Sequence, residues 1–300
     1  MSYRLVRNET PNEGIRRVIL EQIDNARSML NGPEHPHDAV HDARKCFKKI
    51  RAALRLARGP LDDVYSEENA CFRDLGRELS RLRDAEAMIE TIDRLAETFQ
   101  SQARPALFQT ARGELVSRRD TVAKQQIDLT QKLHDVSETL DRARRRMDEW
   151  PEVPGDFSAF APGLAKTYRR GVEGMETAFD EPADENFHEW RKRVKYLWYH
   201  VRLLQNTWPK VMRALRSSLK TLARTLGHDH DLAVLCQRIR HSPEAFGSET
   251  DVETLLALAA RHQKDLRTEA EPLGMHIYAE RVSDFVDRIE AYWQAWHAAD

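Results

Sequence analysis

Residues 41–55 read HDARKCFKKIRAALR, and residues 188–202 read HEWRKRVKYLWYHVR, a second copy of the same pattern 147 positions later. The same shift of 147 still holds further along the chain, where Arg73 aligns with Lys220 and Arg77 aligns with Arg224. Buried apolar positions recur for packing alone, whereas solvated cations have no packing reason to recur in register. The repeat therefore predicts a binding surface that is built twice, and its charge predicts an anionic partner.

Each copy has the periodicity of an amphipathic helix. In the first copy, positions 40, 43, 47, 50 and 54 are apolar, and positions 41, 44, 48, 51 and 55 are His, Arg, Lys, Arg and Arg. This spacing places each set on one stripe of a helix, and the two stripes lie about 100° apart. The second copy has apolar residues at 187, 190, 194, 197 and 201, beside a stripe of His188, Arg191, Lys195, Trp198 and Arg202. We expect the apolar stripes to pack into a helical core and the cationic stripes to border it.

The rest of the chain also reads as helices separated by short breaks. The 300 residues include only 12 glycines, and long helical periodicities with 41% apolar and 32% charged residues predict an all-α fold. We predict helices at 12–30, 38–58, 63–99 and 105–150, and then at 163–179, 184–206, 209–241 and 249–299, with Pro272 dividing the last. The segment PEVPG at 151–155 is the best boundary. Two four-helix bundles, 1–150 and 156–300, are expected to form one compact domain.

The charges are segregated along the chain. The 47 Lys and Arg residues nearly balance the 49 Asp and Glu residues, which argues against a general nucleic-acid coat. However, residues 190–228 contain no acid and ten cations, and residues 43–58 contain no acid and seven cations. Facing helices would turn these cations into a groove that requires a counter-anion. A chain of phosphates would supply it, because Arg offers bidentate donors and Lys a point charge.

Two alternative functions stay open at this point. The sequence GHDHD at 227–231 and the His41-Asp42 pair are typical of metal-dependent phosphohydrolases, although His228 and His230 should point different ways on a helix. Single-stranded nucleic acid is the other candidate, because aromatic residues that could stack on bases lie among the cations: Trp190, Tyr196, Trp198, Tyr199 and Trp208. The chain has no glycine-rich phosphate loop and no nucleophile elbow. We therefore predict a binding protein without catalytic residues, resident metal or cofactor.

The sequence also favours a particular compartment. Three scattered cysteines are too few for a disulfide framework or a zinc site, which is typical of a reducing environment. The N-terminal MSYRLVRNET has no apolar signal core, and the longest apolar run, 255–260, is too short to span a bilayer. The prediction is a cytoplasmic protein with no membrane partner, and the oligomeric state stays open.

Several motifs resemble one known family. His41-x-x-Arg44-Lys45-x-x-Lys48 and His188-x-x-Arg191-Lys192-x-x-Lys195 resemble the two signature helices of the CHAD domains, whose name stands for conserved histidine α-helical domain. The sequences AKTYRRG at 165–171 and GHDHD at 227–231 resemble further motifs of the family, so the resemblance covers nearly the whole chain. It implies two bundles related by a pseudo-twofold axis around a central basic groove or channel. It also implies binding of inorganic polyphosphate and, in bacteria and archaea, association with polyphosphate granules. We predict no specific binding of nucleic acid.

The stripes and the resemblance together predict the residues that contact phosphate. They are His41, Arg44, Lys45, Lys48, Arg51, Arg55, Arg73, Arg77, Lys166, Arg170, His188, Arg191, Lys192, Lys195, Arg202, Lys220, Arg224 and His228. The two signature histidines are expected in the first turn of their helices, where a neutral imidazole beside free backbone N–H groups suits an anion. The chain departs from the family pattern with Lys at 45 and 48 and with Arg83 aligned to His230, which predicts a weaker site in the first half.

Overall fold

The computed structural model describes residues 3–31, 36–79, 81–124 and 129–298. Within these ranges the chain forms eleven α-helices and no strand, which confirms the predicted all-α class. None of the described helices is long and apolar enough to cross a membrane. In chain order the helices are α1 Pro11–Leu30, α2 Pro36–Leu56, α3 Arg58–Glu78, α4 Arg81–Thr98, α5 Pro105–Lys124, α6 Leu129–Arg146, α7 Ala161–Asp180, α8 Asp184–Leu203, α9 Pro209–His241, α10 Glu249–Ile277 and α11 Val282–Ala298.

Local sequence explains where several of these helices begin. At α1 the Thr10 hydroxyl accepts a hydrogen bond from the Glu13 N–H at 3.2 Å, and the Glu13 carboxylate accepts one from the Thr10 N–H at 2.8 Å. Ser248 and Asp251 form the same reciprocal capping box at the start of α10. These bonds satisfy backbone donors that a helix N-terminus leaves without partners.

Two predicted long helices are each divided in the structure. The helix predicted at 63–99 is α3 followed by α4, and the one predicted at 105–150 is α5 followed by α6. The first break separates residues that pack in different cores. Leu79, at the end of α3, is buried in one apolar core, whereas Ile92 and Leu95 of α4 are buried in another. By contrast, α9 serves both cores in one unbroken helix of 33 residues.

The prediction that Pro272 divides the last helix is wrong. Pro272 lies inside α10, and the break comes after Ile277, before α11. Tight packing beyond the proline holds the helix together: a Cβ added at Gly274 would come within 2.7 Å of Met175 Sδ and of the Trp190 ring. The close approach of α10 to α7 and α8 therefore outweighs the backbone hydrogen bond that a proline removes.

The apolar interior consists of two clusters. The larger cluster joins α1, α2, α3 and α6 to α7, α8, α11, the first part of α9 and the last part of α10. The smaller one joins α4 and α5 to α10 and the second part of α9. Both clusters therefore combine residues from before and after the non-helical segment 151–156. The division into bundles of 1–150 and 156–300, and the twofold axis between them, stay predictions, and the apolar packing groups the helices differently.

Candidate anion-binding site

Helix α2 presents three of the predicted cations at the edge of the core. Its apolar stripe is buried as predicted, with exposed fractions of 0 or 1% at positions 40, 43, 47, 50 and 54. Arg44, Lys48 and Arg51 lie beside this stripe and retain access to solvent. Helices α1, α3, α7 and α8 pack around α2 and fix its orientation.

A cavity of about 300 Å3 lies between α2, α3 and α8. The rings of Phe47 and Phe72, with centroids 6.2 Å apart, form its apolar wall. Its cations come from both copies of the repeat: Arg44, Lys48, Arg51, Arg73, Arg77 and Lys192. Among the described residues that line the cavity there is no carboxylate. Like charges held this close repel one another, so an anion that enters between them is stabilised.

Two acids lie near the cavity on its solvent side. Asp74 pairs with Arg73 at 2.9 Å and with Arg77 at 3.5 Å, and all three side chains are exposed. Glu189 pairs with Lys192, again at the surface. Exposed ion pairs of this kind contribute only about 0–1 kcal/mol, so a multivalent anion can displace them.

Arg51 and Arg55 have different environments although they lie one turn apart. Arg51 lines the cavity and donates to the neutral Asn69 amide oxygen at 3.2 Å. Arg55, which is also among the predicted phosphate contacts, does not line the cavity. It is 9% exposed, its guanidinium lies 3.9 Å from the centroid of the Tyr196 ring, and it donates to the Arg51 carbonyl at 2.8 Å. Burial lowers the pKa of Arg55 to about 10. It supports Tyr196, which itself lines the cavity.

The matching stripe on α8 is largely covered by α9. A Cβ added at Gly227 of α9 would lie 3.5 Å from Arg191 Nε, so the guanidinium packs directly on that helix. Burial lowers the pKa of Arg191, and the nearby Asp231 carboxylate partly offsets this effect. Burial, together with the charges of Arg191 and Lys48, lowers the pKa of Lys195 to about 7. The second copy of the stripe therefore borders a covered contact rather than the open cavity.

The two signature histidines lie one turn later than predicted. Because α2 begins at Pro36 and α8 at Asp184, His41 and His188 fall in the second turn, where the backbone N–H groups are already bonded. The predicted free donors beside them are therefore absent. Instead, His188 Nδ1 lies 2.9 Å from His230 Nδ1 of α9. Burial, followed by the positive field of His188 and Arg191, lowers the pKa of His230 to about 3.

The other predicted cations lie away from the cavity. Lys45 is exposed and pairs with Asp42 at 2.8 Å. Arg202 lies over the rings of Tyr3 and Trp198, at 5.5 and 6.0 Å from their centroids. The remaining members are exposed on α7 or α9 or partly buried on α9: Lys166, Arg170, Lys220, Arg224 and His228. The side chain of Arg83, which aligns with His230 in the repeat, lies outside the described residues.

A family model described as the CHAD domain matches residues 17–240. This match agrees with the covered motif histidines, the cationic cavity and the all-α fold. The chain belongs to the CHAD domain family. Two solved structures share the fold. The CHAD domain from the plant Ricinus communis has a TM-score of 0.59 at 17% identity and covers 94% of this chain and 95% of its own. PptA from Streptomyces chartreusis has a TM-score of 0.57 at 14% identity, and the match covers 95% of this chain and 100% of the PptA chain. No curated protein matches the chain.

In this CHAD domain the GHDHD motif joins helices rather than gathering metal ligands. The Asp229 carboxylate is 1% exposed and accepts a hydrogen bond from Arg267 Nε of α10 at 2.7 Å. Arg267 also donates to Asp184 at the start of α8. His228 and His230 point to different neighbours, as the helical spacing predicts. Within the described ranges, no group of three His, Cys, Asp or Glu side chains is arranged to hold a metal ion.

The sequence analysis missed the role of Gly76. Gly76 lines the cavity between Arg73 and Arg77, and a Cβ there would meet no atom within 4 Å. A glycine in a helix interior destabilises the helix by about 1 kcal/mol relative to alanine. Its presence in a predicted helix was therefore the sequence signal for a special position. Of the proposed stacking residues, Trp190 and Tyr199 are buried and Tyr196 packs on Arg55, whereas Trp208 is 47% exposed.

Proposed function

We propose that this CHAD domain binds inorganic polyphosphate in the cavity between α2, α3 and α8. The observation that carries the proposal is the set of cations from three helices around one cavity, with no carboxylate among the described lining residues. Guanidinium groups bind phosphate oxygens in pairs, and the lysines add point charges. Membership of the CHAD family supports the same ligand, because the family resemblance implies it.

A repeating anion fits this surface better than a single phosphate. The cations continue beyond the cavity, because Lys48, which lines it, lies close enough to Lys195 of α8 to lower the pKa of that lysine. A chain of phosphates would bind several of these groups at once and release counterions, so its affinity should fall steeply with salt, as it does for nucleic acids. Binding of this kind would retain the protein on polyphosphate granules in the cytoplasm.

We propose binding without turnover. The described lining residues provide cations, two phenylalanines and a tyrosine, and they include no carboxylate or imidazole that would activate water. Incubating the protein with polyphosphate and magnesium or manganese should therefore release no orthophosphate. Metal-dependent release that Arg73→Glu/Arg77→Glu abolishes would instead favour a phosphohydrolase.

The deciding experiment is a titration with long-chain polyphosphate at about 50 mM and about 200 mM salt, with duplex DNA of equal charge as the competitor control. We expect tight, salt-sensitive binding of polyphosphate and much weaker binding of DNA. A base-free polyphosphate should also displace a single-stranded oligonucleotide, if any binds. Equal affinity for all three polymers would contradict the proposal, since it would indicate a non-selective cationic surface.

A pair of double variants locates the site. Arg73→Glu/Arg77→Glu reverses two exposed cavity cations, whereas Lys132→Glu/Arg145→Glu makes the same change of net charge on the exposed side of α6. Only the first is expected to weaken binding strongly. If both variants lose affinity equally, net charge rather than the cavity determines binding.

A further inference from the structure

A second group of cations lies where the N-terminal segment meets the end of α8 and the start of α9. The Arg216 side chain is close enough to three other arginines to feel their charge, namely Arg4, Arg202 and Arg213. Lys49 Nζ and the Arg202 guanidinium both lie near the Tyr3 ring, at 5.9 and 5.5 Å from its centroid. We call Arg4, Lys49, Arg202, Arg213 and Arg216 the N-terminal cation cluster.

Backbone contacts hold this cluster in place. The Leu5 N–H donates to the Leu203 carbonyl at 2.9 Å, and the Asn206 amide donates to the Leu5 carbonyl at 2.8 Å. Arg213 Nε donates to the Pro209 carbonyl at 2.8 Å, which keeps its guanidinium beside the first turn of α9. The positions of the charges are therefore set by the fold, so a ligand would find them already arranged.

The guanidinium groups of this cluster have no acidic partners among the residues the structure describes. Other arginines are paired: Arg17 contacts Glu9 and Glu21, and Arg288 contacts Glu280. In contrast, within the described ranges no ion pair involves Arg4, Arg202, Arg213 or Arg216, and the buried Nε of Arg4 has no hydrogen-bond partner there. Burial and then the three neighbouring arginines lower the pKa of Arg216. This accumulation of unneutralised charge is the condition that an anion relieves.

The cluster is separate from the cavity. Lys49 and Arg51 point about 160° apart round α2, since consecutive residues turn by about 100°. Lys49 accordingly donates to Gln22 of α1, whereas Arg51 faces Asn69 of α3. The charged groups that act on Arg51 are Arg73 and Arg77, and neither acts on Arg216.

We propose that the N-terminal cation cluster is a second polyphosphate-binding site and that the domain can therefore link two chains or two segments of one chain. This inference rests on the proposed function, because it assigns the same ligand chemistry to another face. A protein with two separated sites gains avidity for a long polymer and cross-links it, which a protein with one site cannot do. Cross-linking would give the domain a role in compacting polyphosphate as well as binding it.

The test uses tripolyphosphate, a short ligand that reports each site separately, in titration calorimetry of the whole 300-residue chain. We expect two binding events in the wild type and one in each of two double variants, Arg213→Glu/Arg216→Glu and Arg73→Glu/Arg77→Glu. Glutamate near the start of α9 is compatible with the helix dipole, so the first variant should fold, and far-UV circular dichroism would verify this. If it does not fold, Arg213→Gln/Arg216→Gln takes its place.

Light scattering with long-chain polyphosphate provides the second readout. Wild-type protein should form large assemblies, and each double variant should bind the polymer without assembling. One tripolyphosphate per wild-type chain, with assembly unaffected by Arg213→Glu/Arg216→Glu, would refute the second site and leave the cavity proposal intact. Loss of all binding in Arg213→Glu/Arg216→Glu, with normal binding in Arg73→Glu/Arg77→Glu, would instead refute the cavity as a site.

Discussion

The cationic stripes of α2 and α8 share one spacing in sequence but have different neighbours in the structure. On α2, Arg44, Lys48 and Arg51 border an open cavity, together with Arg73 and Arg77. On α8, the aligned Arg191 and Lys195 are covered by α9 and lie near Asp231. A duplicated sequence pattern therefore specifies two similar helices without specifying two similar sites. The accessible geometry favours the first-half stripe, whereas the departures from the family pattern predicted that it would be the weaker one.

The largest expected effect comes from reversing two charges that line the cavity, and the aligned charges of the second half provide the comparison. Arg73→Glu/Arg77→Glu should weaken polyphosphate binding by about 100-fold, because both side chains line the cavity. Lys220→Glu/Arg224→Glu changes the aligned residues, which do not line it, and should cost less than about threefold. Parallel titrations at one salt concentration measure both. Equal losses in the two variants would show that the halves contribute equally and would remove the contrast.

The next effect concerns the covered lysine. Lys195→Met should raise the free energy of unfolding by about 3 kcal/mol near pH 6, because it removes a charge whose burial lowers the pKa to about 7. Below pH 7, Lys195 is charged in the folded and unfolded chains, so the desolvation cost acts in full. Between about pH 7 and about 10.4 the folded chain binds fewer protons, so wild-type stability rises with pH and the advantage of the variant shrinks.

Urea unfolding of Lys195→Met at several pH values measures this change, and Lys192→Met is the matched control. Lys192 lines the cavity and forms a surface pair with Glu189, so its replacement should weaken binding and leave stability nearly unchanged. An unstabilised Lys195→Met at low pH would mean that the lysine is more solvated than its position between α8 and α9 indicates.

A smaller effect is expected from the histidine pair. Burial and neighbouring positive charge keep the pKa of His230 at about 3, so His230 is neutral when folded. As pH falls below about 6.5 the unfolded chain takes up a proton that folded His230 does not, and the free energy of unfolding falls by up to about 1.4 kcal/mol per pH unit. His230→Gln should reduce this acid sensitivity, and the exposed His134→Gln should not. Thermal unfolding between about pH 7 and about pH 5 measures how steeply the stability of each variant depends on pH. His200, whose pKa burial also lowers to about 3, contributes equally to both variants.

The smallest change makes the first half resemble the second. Gly76→Ala introduces the residue found at the aligned position, Ala223. It should stabilise α3 by about 0.5–1 kcal/mol, since the added Cβ meets no atom within 4 Å. The methyl group would occupy part of the cavity and weaken polyphosphate binding about threefold. A stabilised variant with unchanged affinity would show that the ligand stays clear of α3.

Sequence periodicity was sufficient for the helices and their buried stripes because both depend on local spacing. Phe47 and Trp190 are buried as their positions predicted. The surroundings of the cations could not be read in the same way, since they depend on which distant helix packs over them. Nothing near Arg191 in sequence indicates that Gly227 lies against it, and nothing near Arg202 indicates the approach of Tyr3 and Arg4. Pro272 likewise misled because the packing of Gly274 on α7 and α8 is a long-range contact.

The contrast between the unbroken α9 and the divided α3 and α4 bears on how the domain opens. Helix α9, about 50 Å long, buries Leu222 in the larger core and Leu235 in the smaller one, so neither core can lose this helix without disturbing the other. The break after Leu79 gives α4 and α5 no such continuous link to the larger core. In hydrogen-exchange terms, we expect α4 and α5 to open as a unit by themselves and the amides of α9 to exchange only with global unfolding.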